Sequence, residues 1–135
     1  AADLERVFND SGGVPWDVVI DDGSHLNEHQ RFTVEHLLKQ RHVARGGAYI
    51  IEDIHSACKT FTINEPLAPG MSKRRTGGSR RDCLGSDAQP TIFLSIVKYQ
   101  KKLLYRQLPL PGVRHIDVFE EAAVFWVGDE ENQAV

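Results

Sequence analysis

Cysteine is scarce in this sequence of 135 residues, which contains only Cys58 and Cys83 and no CxxC pair. This excludes a small fold held together by several disulfides. The two cysteines form either one disulfide or two free thiols, and free thiols fit a reducing compartment. The first residues, AADLERVF, are amphipathic and acidic, unlike a secretory signal. We therefore expect an intracellular protein, cytoplasmic or within an organelle.

Long apolar runs and a strong charge of one sign are also absent. No run of apolar residues is long enough to span a bilayer, so no membrane interaction is expected. The net charge is −3, which gives no attraction to nucleic acid or to an anionic membrane. The hydrophobic fraction of 41% is enough for a core. Length then predicts one domain, or part of one, over residues 1–135.

The segment WDVVIDDGSH, from Trp16 to His25, organises the rest of the chain. Asp17 to Ile20 carry β-branched apolar residues, a composition typical of a short strand buried on both faces in a parallel sheet. The strand ends in Asp21, Asp22 and His25. In open α/β sheets the carboxyl ends of the strands form the ligand-binding edge. Two carboxylates and an imidazole are therefore predicted at that edge.

A second stretch, Gly46 to Ile51, is predicted as a turn followed by an apolar strand, and it also ends in acids, Glu52 and Asp53. Between the two strands, Leu26 to Gln40 is predicted as a helix, because one face is formed by Leu26, Gln30, Val34, Leu37 and Leu38. Arg41 to Gly47 is predicted as the turn that follows. The order strand, helix, strand is a right-handed βαβ unit. If the strands are parallel neighbours, the acids and the histidine converge on one small volume.

The remaining elements follow from periodicity and from turn residues. Asp3 to Asn9 is predicted as a short helix with Asp3 as its N-cap, and Asn27 with Gln30 resembles a capping box. Thr91 to Gln107 is predicted as a helix. The final strands are Val113 to Phe119 and Ala122 to Val127, paired as an antiparallel hairpin. An acidic tail follows at residues 128–135.

Residues 55–90 are rich in proline and glycine and have little apolar periodicity. Such a long connection inside a compact domain is usually functional or mobile. Its basic part, Lys73 to Arg81, is either a solvated flexible loop or a lid that attracts an anionic ligand. These alternatives are not resolved by the sequence.

The acids and the histidine suggest metal-assisted chemistry. Asp22, Glu52 and Asp53 offer hard oxygen ligands, which suit Mg²⁺ or Ca²⁺ better than zinc. A nearby His25 is the usual type of general base, and a metal beside a base activates an alcohol. Alternatively, DDGSH and Glu52-Asp53 are only turn residues and helix caps. His25 with His29, one helical turn later, also permits a two-histidine metal site.

WDVVIDDGSH, a helix, and then GGAYIIEDIH together resemble the class I S-adenosylmethionine-dependent methyltransferases of the macrocin and mycinamicin sugar O-methyltransferase type. Cephalosporin-hydroxylase-like proteins are similar. The resemblance covers Asp17 to His55 and extends to the closing hairpin. It implies that Asp22, Glu52 and Asp53 bind Mg²⁺, that His25 is the general base, and that Asp21 lies at the cofactor. Residues 55–90 would be the variable, substrate-facing part.

The glycine-rich turn and the ribose-binding acid of this family have no counterpart before Trp16. We therefore expect an α/β, partial Rossmann-like methyltransferase fold, with strands 4 to 7 in the order 4-5-7-6 and the first half of the fold absent. One strand would be antiparallel. The Asp17–Ile20 edge would need cover from a missing N-terminal half or a partner chain. Without that half, the chain should not bind S-adenosylmethionine alone.

Three functions remain open at this point. The first is a Mg²⁺- and S-adenosylmethionine-dependent O-methyltransferase, present as a C-terminal half or a split enzyme, acting on a sugar or another hydroxyl acceptor. The second is a catalytically degenerate, methyltransferase-like scaffold subunit of a larger assembly. The third is a metal-dependent hydrolase-like site that uses Asp22, Glu52 and Asp53. The sequence does not identify the acceptor.

Overall fold

The computed structural model describes residues 1–54 and 91–129. Its helices and strands alternate in the order that the hydrophobic periodicity predicts. In chain order they are α1 (Ala2–Asp10), β1 (Trp16–Asp21), α2 (Asn27–Lys39), β2 (Val43–Ile51), α3 (Ile92–Leu104), β3 (Val113–Val118) and β4 (Ala123–Val127). In the described ranges, no helix is long and apolar enough to cross a membrane.

The strands form one four-stranded sheet in the order β1-β2-β4-β3. β1 and β2 are parallel, whereas β4 is antiparallel to both of its neighbours, β2 and β3. The predicted order 4-5-7-6 with one antiparallel strand is therefore confirmed. The closing hairpin is confirmed as well, since β3 and β4 pair directly on either side of Glu120 and Glu121.

The core lies between one face of this sheet and the helices α2 and α3. Tyr49, Ile51 and Phe125 are fully buried on that face. α2 buries the residues predicted from its helical spacing, namely Gln30, Val34, Leu37 and Leu38. The Tyr99 ring of α3 meets the Phe125 ring edge-on, with centroids 6.1 Å apart. Because apolar residues at these spacings share a helix face, the sequence pattern is sufficient to place the helices on the sheet.

The prediction that the first strand is buried on both faces is wrong. Val18 and Ile20 are 56% and 59% exposed. Side chains alternate across a strand, so these two residues lie on the face opposite Val19, which packs against the core. β1 is also an edge strand, with β2 as its neighbour in the sheet. β1 is therefore the open edge that the sequence predicts, and its exposed Val18 and Ile20 form an apolar face.

The predicted turn at Arg41 to Gly47 is also wrong, because β2 begins at Val43 and runs through both glycines. The register between β1 and β2 is irregular at this point. A Cβ at Gly47 would lie 2.5 Å from the carbonyl oxygen of Asp17. Gly46 has φ +74°, a conformation that favours glycine. The pair therefore serves as a bulge that lets the two strands approach closely.

Two predicted caps are corrected by the structure. α1 starts after Ala1, which places Asp3 inside the first turn instead of at the N-cap. α2 starts after Leu26 and has no side-chain cap. The Asn27 side chain instead accepts a hydrogen bond from the backbone N–H of Ile92 at 2.7 Å, and so serves the start of α3. Sequence proximity favoured a local cap, whereas the tertiary partner is 65 positions away.

Helix α3 ends earlier than predicted, at Leu104 instead of Gln107. Several predictions fall outside the described residues. These are the state of the two cysteines, the role of residues 55–90 with their basic part Lys73–Arg81, and the tail beyond residue 129.

Candidate metal and catalytic site

The predicted site lies at the carboxyl edge of β1 and β2. Asp21, the last residue of β1, pairs with Ile51 at the end of β2. The Glu52 N–H then donates to the Asp21 carbonyl at 3.0 Å, which extends the pairing by one step. Asp22 and Asp53 follow directly. Parallel pairing in this register therefore brings both acidic strand ends to one place, as the sequence predicts.

Three side chains meet at this edge, and we call Asp22, His25 and Asp53 the edge cluster. Their ligand atoms all lie within 4.8 Å of one another. The His25 Nε2 atom is 3.2 Å from Asp22 Oδ1 and 3.4 Å from Asp53 Oδ2. The side chains are accessible, with Asp22 63% and His25 29% exposed. One imidazole thus joins carboxylates from two different strands at a position that solvent and ligands can reach.

The backbone is unusual at two members of the edge cluster. His25 has φ 54° and Asp53 has φ 53°, in the left-handed region. Non-glycine residues adopt this conformation infrequently, at a cost of about 1–3 kcal/mol each when the position is strained. Such residues concentrate at functional sites. The conformation turns the chain sharply after each strand and directs both side chains toward the same point.

Asp21, predicted to lie at the cofactor, has a different partner. Its Oδ2 atom accepts a hydrogen bond of 2.6 Å from the hydroxyl of buried Tyr49. Burial, followed by the charge of Asp21, raises the pKa of Tyr49 well above its ordinary value. The phenol therefore stays protonated and keeps donating to the carboxylate. This bond holds the end of β1 to β2, and the cofactor role of Asp21 stays a prediction.

Glu52 is not part of the edge cluster. Its backbone is engaged on both sides, because its carbonyl accepts from the side chain of Gln30 at 3.3 Å. Its own side chain is exposed. The structure therefore brings together two of the three predicted metal ligands with the predicted base, and Glu52 as a ligand stays a prediction.

His29 lies outside the edge cluster as well, and no group of three possible metal ligands among the described residues contains both His25 and His29. Its Nδ1 atom contacts the Ser24 hydroxyl at 2.8 Å. The contact ties the turn after β1 to the first turn of α2. His29 is therefore a turn-stabilising residue in this structure.

The donor set of the edge cluster fits a small hard cation. Mg²⁺ is usually bound by one or two carboxylates and keeps water or substrate oxygens in its other positions. Asp22 and Asp53 supply two carboxylates at an accessible edge. Glu52 directly precedes Asp53 in the sequence. The residues present are thus compatible with Mg²⁺.

A second cluster was not found by sequence reasoning. His36 Nε2 and His42 Nε2 lie 2.7 and 2.9 Å from the same oxygen, Glu5 Oε1. These hydrogen bonds hold the pKa of Glu5 below its ordinary value. Glu5 is 31 and 37 positions from its partners, so no local spacing signals the contact. We call these three residues the amino-edge cluster.

The sheet and the edge cluster together define an α/β domain with two carboxylates and one histidine at the carboxyl ends of its parallel strands. No model of a known protein family matches the chain. Curated relatives do match: demethylmacrocin O-methyltransferase of Streptomyces fradiae is 54% identical over 43 residues, which are 32% of this chain and 10% of that protein. L-olivosyl-oleandolide 3-O-methyltransferase of Streptomyces antibioticus is 40% identical over 72 residues, 53% of this chain and 16% of that protein.

A solved structure agrees with these relatives. The MycE methyltransferase from the mycinamycin biosynthetic pathway, in complex with Mg, SAH and mycinamycin VI, matches 99% of this chain with a TM-score of 0.62 and 26% identity. The chain spans 31% of the length of MycE. The predicted resemblance to the macrolide sugar O-methyltransferases is thus confirmed, and so is the expectation that it covers only part of such an enzyme.

Proposed function

We propose that this chain forms the metal-binding and acceptor-activating part of a Mg²⁺- and S-adenosylmethionine-dependent O-methyltransferase that acts on a sugar hydroxyl. The observation that carries the proposal is the edge cluster, in which carboxylates from two parallel strands meet one histidine. Two of its relatives are named as O-methyltransferases of demethylmacrocin and of L-olivosyl-oleandolide. MycE was solved with Mg and SAH, the demethylated form of the donor.

In this proposal Asp22 and Asp53 hold Mg²⁺, with Glu52 as a further ligand. When bound, the ion supplies Lewis acidity that makes a hydroxyl easier to deprotonate. The Nε2 atom of His25 lies close to both carboxylates. An acceptor hydroxyl that lies near Asp22 and Asp53 would therefore also lie near that nitrogen. His25 then takes the proton as the acceptor oxygen attacks the methyl carbon. The bond from carbon to the sulfonium sulfur breaks, and the thioether leaves with both bonding electrons.

Cofactor binding needs more than the described elements. Residues 1–54 and 91–129 contain no counterpart of the glycine-rich turn that the resemblance leads us to expect for S-adenosylmethionine, so we propose that a cofactor-binding part completes the site. That part belongs to the same polypeptide or to a partner chain. The exposed Val18 and Ile20 on the edge strand give it an apolar surface to cover. Asp21 would then meet the cofactor at the junction.

Mg²⁺ binding tests the metal site directly. We expect Mg²⁺ at ten times its dissociation constant to stabilise the chain by about 1.4 kcal/mol and to raise the thermal midpoint by about 5 °C. Asp22→Asn and Asp53→Asn should abolish this shift, because an amide is a weaker ligand than a carboxylate. Asp10→Asn, a change at an exposed helix end, is the matched control. Equal midpoints for the wild type with and without Mg²⁺ would rule out the site.

Turnover tests the role of His25 in the enzyme completed by its cofactor-binding part. Removal of a general base typically lowers the rate by about 10²–10⁴-fold. We expect His25→Ala to lose about that much, with little change in affinity for S-adenosylmethionine. His29→Ala, which removes only the contact to Ser24, should change the rate far less. If His25→Ala kept most of the activity, the assignment of His25 as the general base would be wrong, and DDGSH would be better explained as a turn.

A further inference from the structure

The amino-edge cluster lies at the opposite end of the sheet from the edge cluster. Glu5 belongs to α1 and His36 to α2, whereas His42 directly precedes β2. β1 and β2 run parallel from this end toward Asp22 and Asp53. We propose that Glu5, His36 and His42 form a binding site for a first-row transition-metal ion, best matched by Zn²⁺. This site is independent of the proposed methyl transfer.

The ligand atoms already converge. Both imidazoles point Nε2 at the same carboxylate oxygen, at 2.7 and 2.9 Å, and the three atoms lie within 4.8 Å of one another. Around tetrahedral zinc, with metal–ligand distances of about 2.0–2.1 Å, neighbouring ligand atoms are about 3.3 Å apart. Each imidazole nitrogen would have to move only about half an ångström away from Glu5 Oε1, and the two nitrogens already lie within 4.8 Å of each other. A side-chain adjustment of that size requires no change in the fold.

Stacked aromatic rings fix both imidazoles in place. Phe8 stacks on His42 with centroids 3.7 Å apart and an interplanar angle of 18°, and Phe32 stacks on His36 at 5.5 Å. The imidazoles are therefore held before any ion arrives, which lowers the entropic cost of binding. The His42 side chain is 7% exposed, whereas Glu5 is 40% exposed. A metal there would have two interior nitrogen ligands, one surface oxygen ligand, and a remaining position facing solvent.

The two clusters differ in the cation that they favour. Imidazole nitrogens suit zinc and its neighbours, whereas carboxylate oxygens suit Mg²⁺. The amino-edge cluster supplies two imidazoles and one carboxylate, and the edge cluster supplies the reverse ratio. We therefore expect Zn²⁺ to prefer the amino-edge cluster. The bound ion would also attach α1, which buries none of its residues completely, to α2 and β2.

His42 limits the affinity of this site. Its Nδ1 atom is buried and has no hydrogen-bond partner in the described part of the chain. An ion on Nε2 leaves the ring proton on Nδ1, where metal-binding histidines normally donate to an outer partner. Loss of such a partner typically weakens metal binding by about 10–100-fold. We therefore expect Zn²⁺ to bind less tightly here than in a structural zinc site with complete outer partners.

The experiment titrates the folded protein with Zn²⁺ alone, by calorimetry, and repeats the titration with Co²⁺ to record its visible absorption. We expect one Zn²⁺ per chain and the Co²⁺ spectrum of a four-coordinate site. Glu5→Gln, a change at the surface, and His36→Gln should each weaken the binding at least about 10-fold. His115→Gln is the matched control, because His115 also contacts a carboxylate, at 2.6 Å, but belongs to no three-ligand group among the described residues.

Asp22→Asn separates the two clusters. Tight Zn²⁺ binding that persists in Asp22→Asn and is lost in Glu5→Gln supports the proposal. Binding that is lost in Asp22→Asn and unchanged in Glu5→Gln would assign zinc to the edge cluster and overturn it. Absence of Zn²⁺ binding by the folded wild type would also overturn it, leaving Glu5 as a hydrogen-bond acceptor. Circular dichroism of each variant confirms that it is folded before its titration is read.

Discussion

The hydrogen bond from Tyr49 to Asp21 joins the end of β1 to β2 beside the edge cluster. Its removal tests how much this contact stabilises the protein. Tyr49→Phe deletes the hydroxyl and leaves the ring, which keeps its edge-on contact with Phe125 at 6.3 Å. A hydrogen bond to a charged group contributes about 1.5–3 kcal/mol. Tyr49 is fully buried, so water does not replace the lost donor easily. We expect the free energy of unfolding to fall by about that amount.

Tyr99→Phe provides a matched control. The Tyr99 hydroxyl also donates to a carboxylate, Glu35 Oε1, at 2.8 Å. The Glu35 side chain is 36% exposed, however, and accepts a second hydrogen bond from Lys39 at 3.0 Å. The loss of the Tyr99 hydroxyl therefore leaves the carboxylate with another donor and with solvent. We expect a smaller cost, about 0.5–1.5 kcal/mol.

Urea unfolding followed by circular dichroism measures both variants and the double-mutant cycle of Tyr49→Phe with Asp21→Asn. The cycle isolates the coupling between hydroxyl and carboxylate, which we expect to be about 1 kcal/mol or more. A Tyr49→Phe effect no larger than that of Tyr99→Phe would refute the reasoning. A coupling energy near zero would also refute the reasoning, because the hydroxyl and the carboxylate would then not stabilise each other.

Three further outcomes follow from the described contacts. Gly47→Ala should destabilise the protein by about 1–3 kcal/mol in urea unfolding, because its Cβ would meet a backbone oxygen of β1, whereas Gly128→Ala meets only a flexible side chain and should cost less. Asn27→Ala should cost about 1 kcal/mol in the same assay, because it leaves the first N–H of α3 unpaired. Burial raises the pKa of both Tyr49 and Tyr99 above the value of the unfolded chain. The stability that these two phenols contribute is therefore present below about pH 10 and should fall as the pH rises further. Unfolding measured from pH 8 to 11 checks this.

The sequence could predict what depends on local periodicity. Helical spacing placed Val34 and Leu37 in the core, and parallel strand ends brought Asp22 close to Asp53. It could not predict that Val18 is exposed, because apolar composition does not reveal how many layers cover a strand. The role of Gly47 as a bulge was hidden for a similar reason, since a glycine pair also fits a turn.

In both clusters, the contacts between segments that are distant in the sequence were the least predictable feature. Glu5 meets its two histidines only because α1 packs beside the end of α2, and this arrangement leaves no pattern in either segment. The left-handed backbone of His25 and Asp53 is likewise set by the strand ends they follow. A single sequence carries the residue types of such clusters but not the tertiary contacts that select among them.

Ile54 and Ile92, which flank residues 55–90, are both fully buried. The Ile54 N–H donates to the Glu121 carbonyl at 3.0 Å, and the Ile92 N–H donates to Asn27. The turn between β3 and β4 and the start of α2 therefore hold the residues on either side of this stretch. Each doubling of the length between fixed ends costs only about 0.6 kcal/mol of loop-closure entropy. Insertions and deletions there can accumulate during evolution while the strands on either side keep their pairing.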